Sequence, residues 1–436
     1  MADLKQDAVD VFLYGYSLMM TEAIHWGSDD KQFEHCRKFP TDQYKRITKL
    51  NMDTLYSYAW TQLANTPYLI HIPEITERYV LFPIMNAYGD VIYSIGTRTP
   101  ELFAGDYILL YQDEPVPEGY EHYRVLRSED SLNSVLLRIE TRGKKDYELV
   151  HRLQDSITIK PLYEEKVEAV PSGEGIVPGT YLDELSGVEY FTKLAKLVQY
   201  NAIKDTKILE AFKRLGYSSQ TSVLDERTLS LEQLEALEYG KKQGQILMEN
   251  STRSSESYAE KNHWVTILGD IGVFGTKYLQ RAATAREGWG GNIVQDTLYS
   301  VTYQDSDGEL LDHDQMYQLH INADEFPHAA VFWSITLYGS DSRFPVKNPI
   351  DRFSVNNYDI DLGNIEKNAD GSLDLFIAKE EPKDAHQRKN WLPAPLDEKH
   401  FNLAIRNYWP DEQSLRGEWN PPIITKIANC ETPFTL

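Results

Sequence analysis

Asn51, Asp53 and Thr54 form a compact polar cluster just ahead of an apolar, strand-like segment, Leu55 to Trp60. A carboxylate placed there can orient an arginine, with Arg98 and Arg352 as candidate partners, or act as a general base if burial raises its pKa. The plainer alternative is structural, because Asn and Asp side chains hydrogen-bond nearby backbone and fix a turn, after which Tyr56 packs. Arg352, in Asp351-Arg352-Phe353, carries a planar fork that suits a bidentate carboxylate or phosphate. An internal salt bridge is the commoner use of such a residue.

A second group of candidates lies near the other end of the chain. Strand alternation over Val331 to Tyr338 sends Val331, Trp333, Ile335 and Leu337 to one side and Phe332, Ser334, Thr336 and Tyr338 to the other. The first set is core-like, and the second mixes hydroxyls with aromatics as a ligand-facing wall would. Arg406 and Tyr408 oppose the apolar set Phe401, Leu403 and Ile405 in the same manner. An exposed sheet face carrying ordinary polar residues is the alternative.

Trp333, Trp391 and Trp409, taken with Arg352, Arg406 and the 51–54 cluster, point to a small polar or carbohydrate-like ligand between aromatic walls. Rings stack on sugar-like molecules while Arg and Asn fix their orientation. The expected ligand-binding set is therefore Asn51, Asp53, Thr54, Arg98, Trp333, Tyr338, Arg352, Trp391 and Arg406, with hydrolysis as the chemistry such a site would add. No catalytic residue stands out. Asp312-His313-Asp314, His320 and His328 offer metal-ligand types, but their spacing fits no His-Glu-x-x-His or cupin pattern, and neither metal nor cofactor is expected. Asp305-Ser306-Asp307-Gly308 reads as a hairpin turn, since a calcium loop needs further ligands. Nucleophile-elbow, phosphate-loop and dinucleotide signatures are all missing.

The elements that must carry these residues follow from periodicity. Val9, Phe12, Leu13, Tyr16, Met19 and Met20 recur at helical spacing, so the chain opens with a helix. Short apolar segments bounded by turn residues follow: Tyr68 to Ile72, Tyr79 to Met85, Val91 to Ile95, Tyr107 to Tyr111 and Val135 to Ile139. They predict a β-sandwich or barrel, closed by a helix carrying Tyr147, Val150, Leu153 and Ile157. Helical periodicity returns over about 183–286, where Ser230 and Gln233 form a capping-box signature. Residues 249–261 are apolar-poor and predict a mobile surface loop. Strands resume at Leu298 to Tyr303, Met316 to Ile321, Val331 to Tyr338, Leu373 to Ile377 and Phe401 to Tyr408. The expected organisation is a helical segment 1–45, a β-domain 46–182, a helical connection 183–289 and a second β-domain 290–436.

Composition sets the outer bounds. The 436 residues exceed what one core usually organises. An apolar share of 41% and a charged share of 25% are those of a soluble globular protein, and the 28 tyrosines suit sheet surfaces. The formal charge of −23 would repel a phosphate backbone or an anionic bilayer, so neither nucleic acid nor membrane is expected as a partner. A homo-oligomer remains compatible. Cys36 and Cys430 are far apart and read as free thiols. Phe12 to Met20 resembles a signal-peptide core, but the acidic residues before it and the missing cleavage site predict a cytoplasmic product. No apolar run approaches the ~20 residues of a membrane span.

Several motifs in order carry a resemblance. In the first half these are Asn51-Met52-Asp53-Thr54-Leu55-Tyr56-Ser57 and Gly96-Thr97-Arg98-Thr99. In the second they are Phe332-Trp333-Ser334-Ile335-Thr336-Leu337-Tyr338, Asp370-Gly371-Ser372-Leu373, Asn390-Trp391-Leu392-Pro393-Ala394-Pro395 and Tyr408-Trp409-Pro410. The chain resembles the two-domain family in which one domain of unknown function, DUF1254, precedes another, DUF1214, known in bacteria, fungi and large DNA viruses. The resemblance implies a mainly β protein with two jelly-roll-like β-sandwich domains joined by helices, and it supplies no catalytic residues. Many bacterial relatives look exported, which this chain does not. A non-enzymatic structural or interaction protein, for example a packaged virion component, is the alternative to ligand binding that the resemblance implies.

Overall fold

A computed structural model describes residues 3–251 and 258–427. Cys430 lies outside the described residues, and Cys36 is half-buried. The chain divides into two compact units that are not consecutive stretches. Residues 1–38, 54–255 and 270–292 form the first, and residues 39–53, 256–269 and 293–436 form the second.

The first unit is organised around the opening helix, Leu4–His25, which is capped by Asp3 accepting the Lys5 amide at 3.0 Å. Its periodicity marks one apolar face, yet Ala8, Val11, Tyr14 and Leu18 are buried as fully as Phe12 and Tyr16. The cause is a jacket of further helices which, with Trp60 and Tyr88 from the sheet side, covers most of the circumference. Gly15 lies against Leu194 of the helix Gly187–Leu197, and Gly240 and Gly244 of the helix Leu231–Asn250 lie against Ala8 and Phe12. Glycines four residues apart let two backbones approach closely, since no Cβ stands between them. The Ser230–Gln233 capping box forms at the start of Leu231–Asn250, as the sequence predicts.

Two sheets complete this unit. One has five antiparallel strands in the order Glu34–His35, Thr54–Gln62, Leu132–Glu140, Val80–Asn86 and Val91–Gly96. The other orders Arg124–Ser128, Gly105–Tyr111, Tyr68–Ile72 and Thr158–Pro161. The expected helix is present as Tyr147–Ser156.

The second unit is a two-sheet sandwich. Its larger sheet runs Tyr258–Lys261, Trp264–Ile267, Thr297–Thr302, Phe401–Pro410, Ala329–Gly339 and Ser354–Asn356. Its smaller sheet runs Trp391–Pro393, Leu373–Ala378, Met316–Ile321 and Ile423–Ile427. Ile335, Leu337, Leu403 and Ile405 from the first and Leu319, Leu375 and Ile377 from the second share one buried core. At 25 cal/mol per Å² of apolar surface, burial of such side chains is the main force joining the layers.

Three expectations are corrected. The chain is mixed, with 28% helix and 29% strand, because helices form a full layer around Leu4–His25 rather than serving as connectors. Of residues 249–261, 252–257 lie outside the described residues, while the helix Leu231–Asn250 runs into the segment's start and Tyr258–Lys261 is an edge strand. That strand pairs with Trp264–Ile267 through a two-residue turn in which Asn262 and His263 both have positive φ, 53° and 63°. Such a turn matches the twist of its strands, and Asn-His is a weaker signal than Asn-Gly, so the hairpin is hard to see in sequence. Finally, each smaller sheet contains a parallel pair, Gly105–Tyr111 with Arg124–Ser128 and Leu373–Ala378 with Trp391–Pro393, where an all-antiparallel jelly roll has none.

Candidate functional site

In the second unit, the hydroxyl-bearing side of Ala329–Gly339 collects a buried polar group around Asp53. Asn51 accepts the Asp53 amide at 3.0 Å, the turn geometry expected of an Asx pair, and this aims the Asp53 carboxylate at the sheet. Its Oδ2 accepts from Ser334 Oγ at 2.6 Å and from the Tyr408 hydroxyl at 3.0 Å. Its Oδ1 accepts from Asn356 Nδ2 at 3.4 Å.

Register explains the convergence. Ser334 lies opposite Arg406 on one side and Asn356 on the other, and Phe332 lies opposite Tyr408, so three adjacent strands present these side chains on one face. Asn356 also caps the helix Asn357–Asp361, accepting the Asp359 amide, which fixes its rotamer and leaves Nδ2 for Asp53.

Arg406 forms the cationic half. Its Nη1 donates to Thr336 Oγ1 at 3.1 Å, and its Nη2 donates to the Lys49 carbonyl at 2.7 Å and the Tyr338 hydroxyl at 3.0 Å. Tyr338 in turn donates to the Leu50 carbonyl at 2.6 Å. The guanidinium lies over the Tyr299 and Tyr338 rings, and Phe332 stacks on Tyr408 with centroids 4.0 Å apart. Burial raises the Asp53 pKa above the usual carboxylate range, outweighing the hydrogen bonds from Ser334, Tyr408 and Asn356 and the nearby Arg406 charge, all of which pull it down. The group is thus a desolvated carboxyl set in a face of hydroxyl oxygens.

The structure brings Asn51, Asp53, Tyr338 and Arg406 together and sets other candidates elsewhere. Trp333, on the opposite side of the same strand, is buried in the core against Phe326. Trp391 donates its indole N–H to the Ala378 carbonyl at 2.7 Å and packs with Met316 and Phe376. The aromatic surface beside Asp53 therefore consists of Tyr299, Phe332, Tyr338 and Tyr408 rather than tryptophan. Arg352 donates Nη1 to the Lys389 and Trp391 carbonyls at 3.1 and 2.9 Å. It forms no salt bridge among the described residues, so the internal ion pair expected of it is absent there. Burial pushes its pKa down, against a weak opposing pull from Asp359. Thr54 opens the strand Thr54–Gln62 in the first unit, where Arg98 follows the strand Val91–Gly96.

Asp312, His313 and Asp314 do come within 4.8 Å of one another. Their donors are engaged, however: His313 Nδ1 bonds the Pro395 carbonyl at 2.9 Å, and Asp312 accepts the Asp314 amide at 2.9 Å. His320 pairs with Asp374 and His328 with Asp411, each in a separate place. Asn356 and Tyr299 are residues that sequence reasoning missed. The Asn356–Asp359 spacing is a capping signature that could have placed Asn356 at a helix start beside the sheet.

With the geometry in hand, comparison with known proteins gives the family. The model described as "Protein of unknown function (DUF1254)" matches residues 31–161, and the one described as "Protein of unknown function (DUF1214)" matches residues 296–412. The chain belongs to this two-domain family. Among solved structures, the VPA0106 protein from Vibrio parahaemolyticus is similar over 98% of this chain and 100% of its own, at 20% identity and a TM-score of 0.68. That likeness shows a shared fold. An uncharacterised Burkholderia cenocepacia protein aligns over 97% of this chain and 93% of its own, at 14% identity and a TM-score of 0.45. No curated protein matches the chain.

Proposed function

We propose that this DUF1254–DUF1214 protein binds a small polar, carbohydrate-like ligand at the Asp53–Arg406 face of its second unit, with Asp53 as the proton-handling group of any hydrolysis there. One observation carries this reading: a wholly buried carboxyl, raised in pKa by desolvation, sits among Ser334, Thr336, Tyr338 and Tyr408 oxygens beside a guanidinium. Perturbed carboxyls with specific partners concentrate at functional sites. The test is thermal stabilisation by a panel of sugars, phosphate esters and carboxylates, read on the unmodified protein and on D53N. A shift that D53N abolishes while retaining its near-ultraviolet circular dichroism supports the site. No shift from any compound counts against it.

A second reading is favoured by where the Arg406 donors go. They meet the Lys49 carbonyl, Thr336 and Tyr338, and Tyr338 meets the Leu50 carbonyl, so the network ties residues 49–53 to the sheet. Under this reading the face is a structural latch in a non-enzymatic protein, and its variants change stability alone.

A further inference from the structure

One tryptophan of the second unit is placed unlike the others. Of the eight in the chain, six are buried, and Trp26 ties its indole N–H to Glu22 and its ring to Tyr181. Trp409 is half-exposed, and among the described residues its side chain makes no hydrogen bond and no ring contact. Its backbone is also held in an uncommon shape, with φ 55° at the end of the strand Phe401–Pro410. Bulky side chains rarely enter that region. On one side the Trp409 amide donates to the Asp296 carbonyl at 2.8 Å. On the other, Pro410 faces Ala329 and Tyr408 faces Phe332, so Ala330 and Val331 both stand against the single residue Trp409. A bulge of this kind re-aims a side chain and recurs beside functional sites. Backbone strain kept at a ring with no ring partner points to a use for that ring.

The polar company beside it narrows that use. The Asp411 amide donates to the His328 carbonyl at 3.4 Å, just beyond Trp409 on the same strand pair. Asp411 Oδ1 accepts the Ser414 amide at 2.8 Å, and its Oδ2 accepts from His328 Nδ1 at 3.1 Å. Both carboxylate oxygens are therefore engaged, and the group holds the imidazole in place rather than presenting a bare charge to a cation. With its proton on Nδ1, the neutral ring leaves Nε2 as an acceptor, and the His328 side chain is 40% exposed. His328 lies two places from Ala330, and residues so offset across a strand pair stand about 7–8 Å apart. That is the span of one sugar ring with its hydroxyls.

We infer that Trp409 and His328 form a surface saccharide-binding platform, with one sugar ring stacked on the indole and one of its hydroxyls donating to His328 Nε2. The indole N–H is a further donor, for a sugar oxygen. A neutral polyol fits better than an anion, because the chain carries a formal charge of −23. The platform shares a ligand class with the Asp53–Arg406 reading but none of its residues, and it stands independently of that reading.

The experiment is saturation-transfer difference NMR on the full chain. The probes are methyl β-glucoside, methyl β-galactoside, N-acetylglucosamine and cellobiose, with glycerol as a polyol that has no ring to stack. At least one sugar is expected to show transfer, strongest at its ring C–H protons, and glycerol none. W409G removes the indole at a φ that glycine adopts freely. It is expected to melt within about 3 °C of the unmodified protein and to lose the transfer. H328A, at an exposed side chain, is expected to fold and to bind at least about fivefold more weakly. D53N is expected to leave the transfer unchanged. No transfer from any sugar, equal transfer from glycerol, undiminished transfer in W409G or H328A, or unfolding of W409G, which would make the ring a packing residue, would each overturn the assignment. Transfer lost in D53N and kept in W409G would overturn it in favour of the Asp53–Arg406 face, whereas failure of the D53N stabilisation test leaves this platform standing.

Discussion

His25 offers the most quantitative handle on this protein. It ends the helix Leu4–His25 and is 6% exposed. Its Nε2 bonds Asp30 at 2.8 and 3.0 Å, while Glu22 lies 3.9 Å from Nδ1 and the Trp60 ring 4.9 Å away. Burial alone would lower its pKa, but the Asp30 hydrogen bond and then Glu22 outweigh that penalty and raise it from 6.5 to about 9. The folded state therefore holds this proton more tightly than the unfolded chain. The stability it contributes is full below about pH 6.5 and is lost as pH rises through about 9. The gap corresponds to at most about 3 kcal/mol. The perturbation is H25Q, which keeps an amide in place of the ring and cannot titrate. Removing one partner of a buried ion pair costs about 3–5 kcal/mol, so that is the expected deficit at pH 6. By pH 9.5 the deficit should shrink by about 3 kcal/mol. Urea unfolding at half-unit pH steps, followed by tryptophan fluorescence and circular dichroism, measures it. A wild-type–H25Q difference that stays constant within about 0.5 kcal/mol over this range would refute the reasoning.

Three further outcomes are expected. D130N should raise stability at pH 7 by on the order of 1–3 kcal/mol, because the folded-state carboxyl titrates near 6 instead of 3.8 and its ionised form is disfavoured; the gain should fade below about pH 4, as calorimetry across pH would show. D53A leaves Ser334, Tyr408 and Asn356 without their shared acceptor and should cost about 3 kcal/mol, whereas D53N keeps an acceptor oxygen and should cost under about 1, a contrast readable in denaturant midpoints. G240A places a methyl against Ala8 of the opening helix and should destabilise the first unit by about 1–3 kcal/mol; a neutral result would mean that the two helices can separate without loss.

Particular residues show how much was legible in advance. Strand alternation alone separates Trp333 from Ser334, and the core residues Ile335, Leu337, Leu403 and Ile405 sit where that alternation sends them. The opening helix, the Ser230 capping box and the strand Met316–Ile321 are equally local, since each depends on spacing within one turn or one pleat. The two family domains are marked by motifs in the same way.

What local spacing does not encode is company. Asp53 meets Ser334, Asn356 and Tyr408 from roughly 300 positions away in the chain, through the register of three strands, and its proton affinity follows from the desolvation they create together. The same holds for Asp130, an unremarkable turn residue in sequence, whose carboxylate is buried beside Lys204 at 3.6 Å without accepting a hydrogen bond. Periodicity determined which faces are apolar and where the turns fall, because those are short-range consequences of backbone geometry. Which polar groups share a buried space, and which of them is left wanting a partner, was decided only by tertiary packing.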